Sequence, residues 1–157
     1  MIEIRALDNR AQVFEVCQKA NDYFQLIGGK AITMTEVDKI LTAIPEAKAL
    51  KDKFILGIYE HEELIGLIDI IKDYPELPIW WLGLFLLVDD KRGKGLGKSV
   101  HQALVQYLKT QGANAIHLGV IEKNFKAVKF WEQQGYQVQR IQMTATDPII
   151  VMALGLD

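Results

Sequence analysis

Between Ile79 and Val88 the chain reads IWWLGLFLLV, with no ionisable residue anywhere in the run. A membrane-crossing helix needs about 20 apolar residues, so this run is about half the required length and reads instead as a buried strand. The next thirty or so residues narrow the fold further. After Asp89 and Asp90 comes KRGKGLGKS, and then Val100, Ala103, Leu104, Tyr107 and Leu108 recur at the spacing of one helical face until Gly112 supplies a left-handed stop. Ala115 to Ile121 reads as a second strand. A buried strand, a glycine-rich turn, an amphipathic helix and another strand in direct succession make a right-handed crossover between neighbouring strands. The chain is therefore expected to build a mixed α/β sheet around this unit.

The flanking segments add to that sheet. IEIR at the start alternates and predicts a short strand, and Val13, Val16, Cys17, Ala20 and Phe24 mark one face of a helix over 12–24. Leu26-Ile27-Gly28-Gly29 breaks that pattern and predicts a loop, after which Thr33 to Ile44 offers a second helix, capped by Thr33 or Thr35 and stopped by Pro45. KFILGIYE and ELIGLIDIIKDY flank a polar turn at 60–63 and predict an antiparallel hairpin. Asn124 is a good cap for a helix closed by Gly135, and Gln137–Met143 and Ile149–Leu154 predict two final strands around Asp147-Pro148.

Gross properties exclude several functions. With 157 residues, half of them hydrophobic, one domain spanning 1–157 is expected, large enough to bury a real core. A formal charge of -2 without any lysine or arginine run argues against nucleic acid or an anionic membrane as partner. Cys17 is alone, so no internal disulfide forms, and MIEIRALDNR has neither the basic start nor the apolar core of a secretory signal. A cytoplasmic location is expected, and no metal site.

KRGKGLGKS suits an anion. A Walker A loop requires glycine where Arg92 stands, and a dinucleotide fingerprint starting at Gly93 requires glycine where Lys98 stands. The spacing R-x-x-G-x-G fits without a mismatch at Arg92, Gly95 and Gly97. Glycines at 93, 95 and 97 allow left-handed or tightly curved backbone and bring N–H groups close to a ligand. Those amides open into a helix N-terminus, whose unpaired N–H groups carry partial positive charge, and Arg92, Lys94 and Lys98 add cationic partners for a pyrophosphate. A glycine-rich turn with solvated lysines is the bland alternative.

The context decides between them. LGLFLLVDDKRGKGLGKSVHQAL followed by AIHLGVIEKNFKAVKFWEQQGYQV closely resembles the acyl-CoA-binding half of the GNAT N-acetyltransferase superfamily, over roughly residues 64–155. The second family motif, N-x-x-A-x-x-F-[YW]-E-x-x-G-[FY], is matched at Asn124, Ala127, Phe130, Trp131, Glu132, Gly135 and Tyr136. The resemblance implies an α/β (α+β) fold: a mixed, mostly antiparallel sheet of about seven strands, two splayed parallel strands at its centre, and about four helices. It implies acetyl-CoA as acyl donor and an amine as acceptor, joined by direct attack in a ternary complex. Arg92, Gly93, Lys94, Gly95, Leu96, Gly97 and Lys98 would hold the pyrophosphate. Backbone groups of Leu86 and Val88 would pair with the pantetheine arm, and the Leu86 N–H would face the thioester oxygen as it gains charge. Asn124 would cap its helix, contact the CoA arm, or both, and Trp131 would line the donor site. Homodimers are common in that family.

Two parts of the usual chemistry are missing. The family often supplies a tyrosine acid where Trp131 stands, and an indole N–H is no acid at neutral pH. It often supplies a glutamate on the first splayed strand, where Leu82 stands here. A CoA thiolate can leave unprotonated or take its proton from water. For the base, or for attracting a cationic amine, Asp69, Asp73, Tyr74 and Glu76 are candidates, with Asp73 placed first; each is also readable as a solvated strand end. His117 is a further candidate, readable equally as a structural histidine, whereas His61 and His101 invite no role. Trp80 and Trp81 point to opposite faces, so one packs in the core and the other can wall an acceptor cleft, which Tyr23, Phe24 and the loop to Gly29 would complete. The rival readings are a non-catalytic acyl-CoA sensor and a nucleotide-binding P-loop protein.

Overall fold

The computed structural model describes residues 1–28 and 31–157. The elements run β1 (Ile2–Ala6), α1 (Arg10–Lys19), α2 (Asn21–Gly28), α3 (Met34–Thr42), β2 (Lys53–Glu60), β3 (Glu63–Ile71), β4 (Ile79–Leu87), α4 (Leu96–Thr110), β5 (Ala115–Ile121), α5 (Phe125–Gln133), β6 (Gln137–Gln142) and β7 (Ile149–Gly155). Short 3₁₀ turns occupy Leu50–Asp52 and Asp89–Lys91. The seven strands form one sheet in the order β1-β2-β3-β4-β5-β7-β6. Every neighbouring pair is antiparallel except β4 and β5, which the α4 crossover makes parallel.

The parallel pair is short. It runs from Ile79 opposite Ala115 to Leu82 opposite Leu118, and stops. β4 continues to Leu87 against β3, while β5 continues to Ile121 against β7. The β3–β4 register shifts between Asp69 and Ile70, which face Leu84 and Leu82, so Gly83 is an extra residue on β4. Such a bulge bends its strand and increases the local twist. It lies at the level where β4 and β5 part, and the fork between them opens the centre of the sheet.

Alternation along β4 sends Trp80, Leu82, Leu84 and Leu86 into the core. Trp80 stacks on Phe54 at 5.4 Å between centroids, whereas Trp81 stays half-buried with its ring edge against Tyr74, so the two tryptophans divide as the alternation requires. Val100, Leu104 and Leu108 of α4 are fully buried, as their spacing predicts. His61 and Glu62 carry the positive φ of a tight hairpin between β2 and β3.

One stretch departs from expectation. The helix expected over 12–24 is two helices, because Ala20 turns out of helical geometry (φ -107°, ψ 39°) with its N–H on Cys17 O. α2 then restarts and runs through Leu26 to Gly28, where a loop was expected; Gly29 lies outside the described residues. Its restart has a tertiary cause: the Asp89 carboxylate, 67 positions along the chain, accepts the Asp22 N–H at 3.3 Å and caps the new N-terminus. The described residues therefore form five α-helices rather than four. None is long and apolar enough to cross a membrane.

Candidate functional site

The fork opens into a cavity of about 820 Å³ that extends from Leu82 and Gly83 on β4, past Leu118 to Ile121 on β5, to the glycine loop and the N-terminus of α4. The loop end is built from backbone. Gly93 and Gly95 have φ of +72° and +75°, and a Cβ on either would meet nothing within 4 Å, so handedness and not space demands glycine there. Gly95 is the N-cap of α4 with no side chain to bond the first-turn amides, which leaves those donors for a ligand. Gly97 differs: its Cβ would stand 3.1 Å from the Phe130 ring, so it lets α4 approach α5. Arg92, Gly93, Gly95, Gly97 and Lys98 line the cavity, and Leu96 and Lys94 do not. The Arg92 Nε donates to Leu87 O at 3.1 Å, and its other end lies 3.9 Å from Asp89.

The middle of the cavity is walled by β4, and its hydrogen bonds fix which amides face the opening. Val88 N–H donates to Ile65 O at 2.9 Å. With Leu67 opposite Leu86, alternation along an antiparallel ladder turns the amides of both Leu86 and Val88 toward β3. The Phe85 and Leu87 amides point the other way, as the Leu87 carbonyl confirms by accepting from Arg92. Phe85 and Leu87 line the cavity, whereas Leu86 is 1% exposed and, like Val88, does not. The backbone groups open to a ligand are thus one residue out of phase with the sequence expectation.

The far wall is aromatic. Trp131 and Phe130 of α5 line the cavity, and Trp131 stands edge-on to Phe85 at 5.3 Å. Behind them, His101 Nε2 and the Tyr136 hydroxyl are 2.8 Å apart. Burial pushes the His101 ring down to about 4, so it is neutral at physiological pH, and pushes the Tyr136 hydroxyl up. Sequence reasoning passed over His101, although its spacing to Leu104 and Leu108 put it on the buried helix face. Asn124 caps α5, its Oδ1 accepting from Ala127 N–H at 3.3 Å, and also lines the cavity.

The candidate bases scatter. Asp73 follows β3 in a left-handed turn (φ 55°), its carbonyl accepting from Lys48 Nζ at 3.2 Å, and neither it nor Tyr74, Glu76 or His117 lines the cavity. Burial lowers the His117 pKa, an effect Arg140 reinforces and Glu76 opposes. Leu82 is buried in the core. Asp69 does not line the cavity either, but it lies directly behind Gly83, which does, its Oδ2 accepting from Lys53 Nζ at 2.9 Å. Tyr23 of α2 enters the cavity near Arg92, and burial raises its pKa while Arg92 opposes the shift. Cys17 is fully buried and its thiol is pushed up to about 12, which removes it as a nucleophile.

A sheet forked between two parallel strands, with uncapped helix-terminal amides at one end and a strand's open backbone along the wall, has the shape and the donors for an elongated anionic ligand. Residues 16–136 match the Acetyltransferase (GNAT) family, and the chain belongs to it. The spermine/spermidine N(1)-acetyltransferase of Bacillus subtilis is 25% identical over 144 residues, covering 87% of this chain and 88% of that one. Among solved structures, an acetyltransferase from Thermus thermophilus superposes with a TM-score of 0.80 at 22% identity, over 99% of this chain and 97% of that one. The aminoglycoside acetyltransferase AAC(6')-Ib, solved with coenzyme A, gives a TM-score of 0.77 at 18% identity, over 99% and 95%.

Proposed function

We propose that this enzyme transfers an acetyl group from acetyl-CoA to the nitrogen of a small cationic amine, by direct attack with both substrates bound. The observation that carries this reading is the continuity of the cavity from the glycine loop to the fork. Arg92, Lys98 and the amides of Gly93 to Gly97 would hold the pyrophosphate, with Lys94 contributing charge from the rim. Phe85 and Leu87, rather than Leu86 and Val88, would pair with the pantetheine arm, and one of their N–H groups would meet the thioester oxygen where negative charge develops. Asn124 and Trp131 would flank the arm. The thiolate leaves without help from Trp131, which is packed among rings and offers no acidic proton.

A small polyamine is the favoured acceptor because the Bacillus relative acts on spermine and spermidine. The test is thermal-shift titration with acetyl-CoA, then free-thiol release with spermidine, kanamycin, amino acids and short peptides. Stabilisation by acetyl-CoA with amine-dependent thiol release is expected. Stabilisation without thiol release from any of these amines would favour a non-catalytic sensor.

A further inference from the structure

We propose that Asp69 accepts the proton that the acceptor amine loses on acetylation, reaching it through the gap that Gly83 leaves in the cavity wall. The inference rests on the acetyltransferase reading above. Gly83 is the extra residue of the β4 bulge, directly after the last residue of the parallel pairing, and it lines the cavity. Its φ is not in the left-handed region, so the backbone does not require glycine. Space is tight there instead: a Cβ would stand 3.3 Å from Asp69 Oδ2 and 3.6 Å from Cγ, in contact with the carboxylate. Without a side chain at 83 the Oδ2 edge of the carboxylate is left uncovered beside Gly83, and the Asp69 side chain keeps 15% exposure, so a water or an amine N–H packed against the Gly83 Cα would donate to Oδ2.

The carboxylate itself is held for such a task. Asp69 Oδ1, the carboxylate oxygen farther from Gly83, is the one buried side-chain nitrogen or oxygen without a hydrogen-bond partner among the described residues. A buried orphan acceptor costs about 1–3 kcal/mol, so a purely structural aspartate would be expected to satisfy it. Oδ2 is fixed by Lys53 of β2, whose side chain is 2% exposed and whose Nζ also donates to Ala43 O at 2.7 Å. Across on β4, Leu82, Gly83 and Leu84 carry no charge, so Lys53 is the charged group facing Asp69 among the described residues. Burial raises the Asp69 pKa and Lys53 opposes the rise. The carboxylate is thereby a better proton acceptor near neutrality than an exposed one.

The step balances. The amine nitrogen attacks the thioester carbonyl carbon and a C–N bond forms; a proton passes from nitrogen to Asp69. The C–S bond then breaks, its electron pair leaves on sulfur, and the proton on Asp69 returns through the gap to solvent or to the thiolate.

The test measures kcat across pH for Asp69→Asn and Gly83→Ala with spermidine, or with kanamycin if wild type does not acetylate spermidine. Asp69→Asn should lower kcat by about 100-fold, erase the fall of kcat on the acid side, and leave the acetyl-CoA KM within about threefold. Gly83→Ala, which covers the Oδ2 edge and keeps the carboxylate, should lower kcat about tenfold. If Asp69→Asn fails to fold, Gly83→Ala decides alone. Either variant within about threefold of wild type, or an Asp69→Asn enzyme with the acid limb intact, overturns the assignment. A wild-type enzyme that releases no thiol with spermidine, kanamycin, amino acids or short peptides overturns the acetyltransferase reading, and the proton acceptor falls with it.

Discussion

The two ends of the cavity both use glycine, for opposite reasons. At the loop end, Gly93 and Gly95 sit in open space with left-handed backbone, whereas at the fork end Gly83 and Gly119 have ordinary backbone and crowded surroundings. A Cβ on Gly119 would stand 2.9 Å from Ile149, and one on Gly83 would press on Asp69. The loop end presents main-chain amides and needs only the right dihedrals. The fork end is shaped by side chains arriving from β2, β3 and β7. The first kind of site tolerates wide variation in its surroundings, and the second does not.

The comparison can be broken at several points. Lys53→Met would strand the Asp69 charge at the fork, and breaking a buried pair this way costs about 3–5 kcal/mol; denaturant unfolding should show that loss. Asp69→Asn keeps an oxygen for Lys53 but leaves the more deeply buried ammonium without a counter-charge, and should also lower stability. If Lys53→Met proves neutral, the pair does not organise the fork.

The wall between the two ends predicts a pH dependence. His101 binds its proton about 2.5 units lower in the folded protein (6.5 against about 4), so the unfolded chain binds more protons in that window. Its contribution, up to about 3 kcal/mol, is fully present above 6.5 and is lost as pH falls toward 4. His101→Gln, which keeps a partner for Tyr136 and does not titrate, should flatten unfolding free energy against pH across that window.

At the loop end, Gly95→Asp should weaken acetyl-CoA binding by about 100-fold, or ~2.7 kcal/mol, by setting a carboxylate where the pyrophosphate is expected. Isothermal titration checks this, and binding within a few-fold of wild type would remove the loop from the donor site. The smallest effect separates the two kinds of glycine most sharply. Gly93→Asn should cost less than Gly93→Ala, because asparagine enters left-handed backbone more readily, by about 0.5 kcal/mol out of roughly 1. At Gly119 the order should reverse, since the larger side chain collides more with Ile149.

The crossover unit was legible because its signals are local. The apolar run of β4, the spacing of Val100, Leu104 and Leu108, and the glycines at 93, 95, 112 and 135 each depend on neighbours a few residues away, and the four glycines all adopt the positive φ their positions call for. The break at Ala20 was not legible, because the residue that restarts α2 is Asp89. The phase of the β4 amides was missed for a similar reason. Adjacent residues offer their N–H groups to opposite sides, and only the bond from Val88 to Ile65 says which side is which. Asp69 was visible as one acidic residue among several, while its orphan oxygen and its place beside Gly83 were not.

By itself, then, the order of residues determined where strand, glycine loop and helix fall, and pointed to an anion site there, since dihedral preference and helical periodicity are written in consecutive residues. Which amides face the ligand, where the sheet forks and which carboxylate stands behind the fork were decided only in the assembled sheet. Those properties arise from register and burial between segments far apart in sequence, and a shift of one residue in pairing reverses each of them.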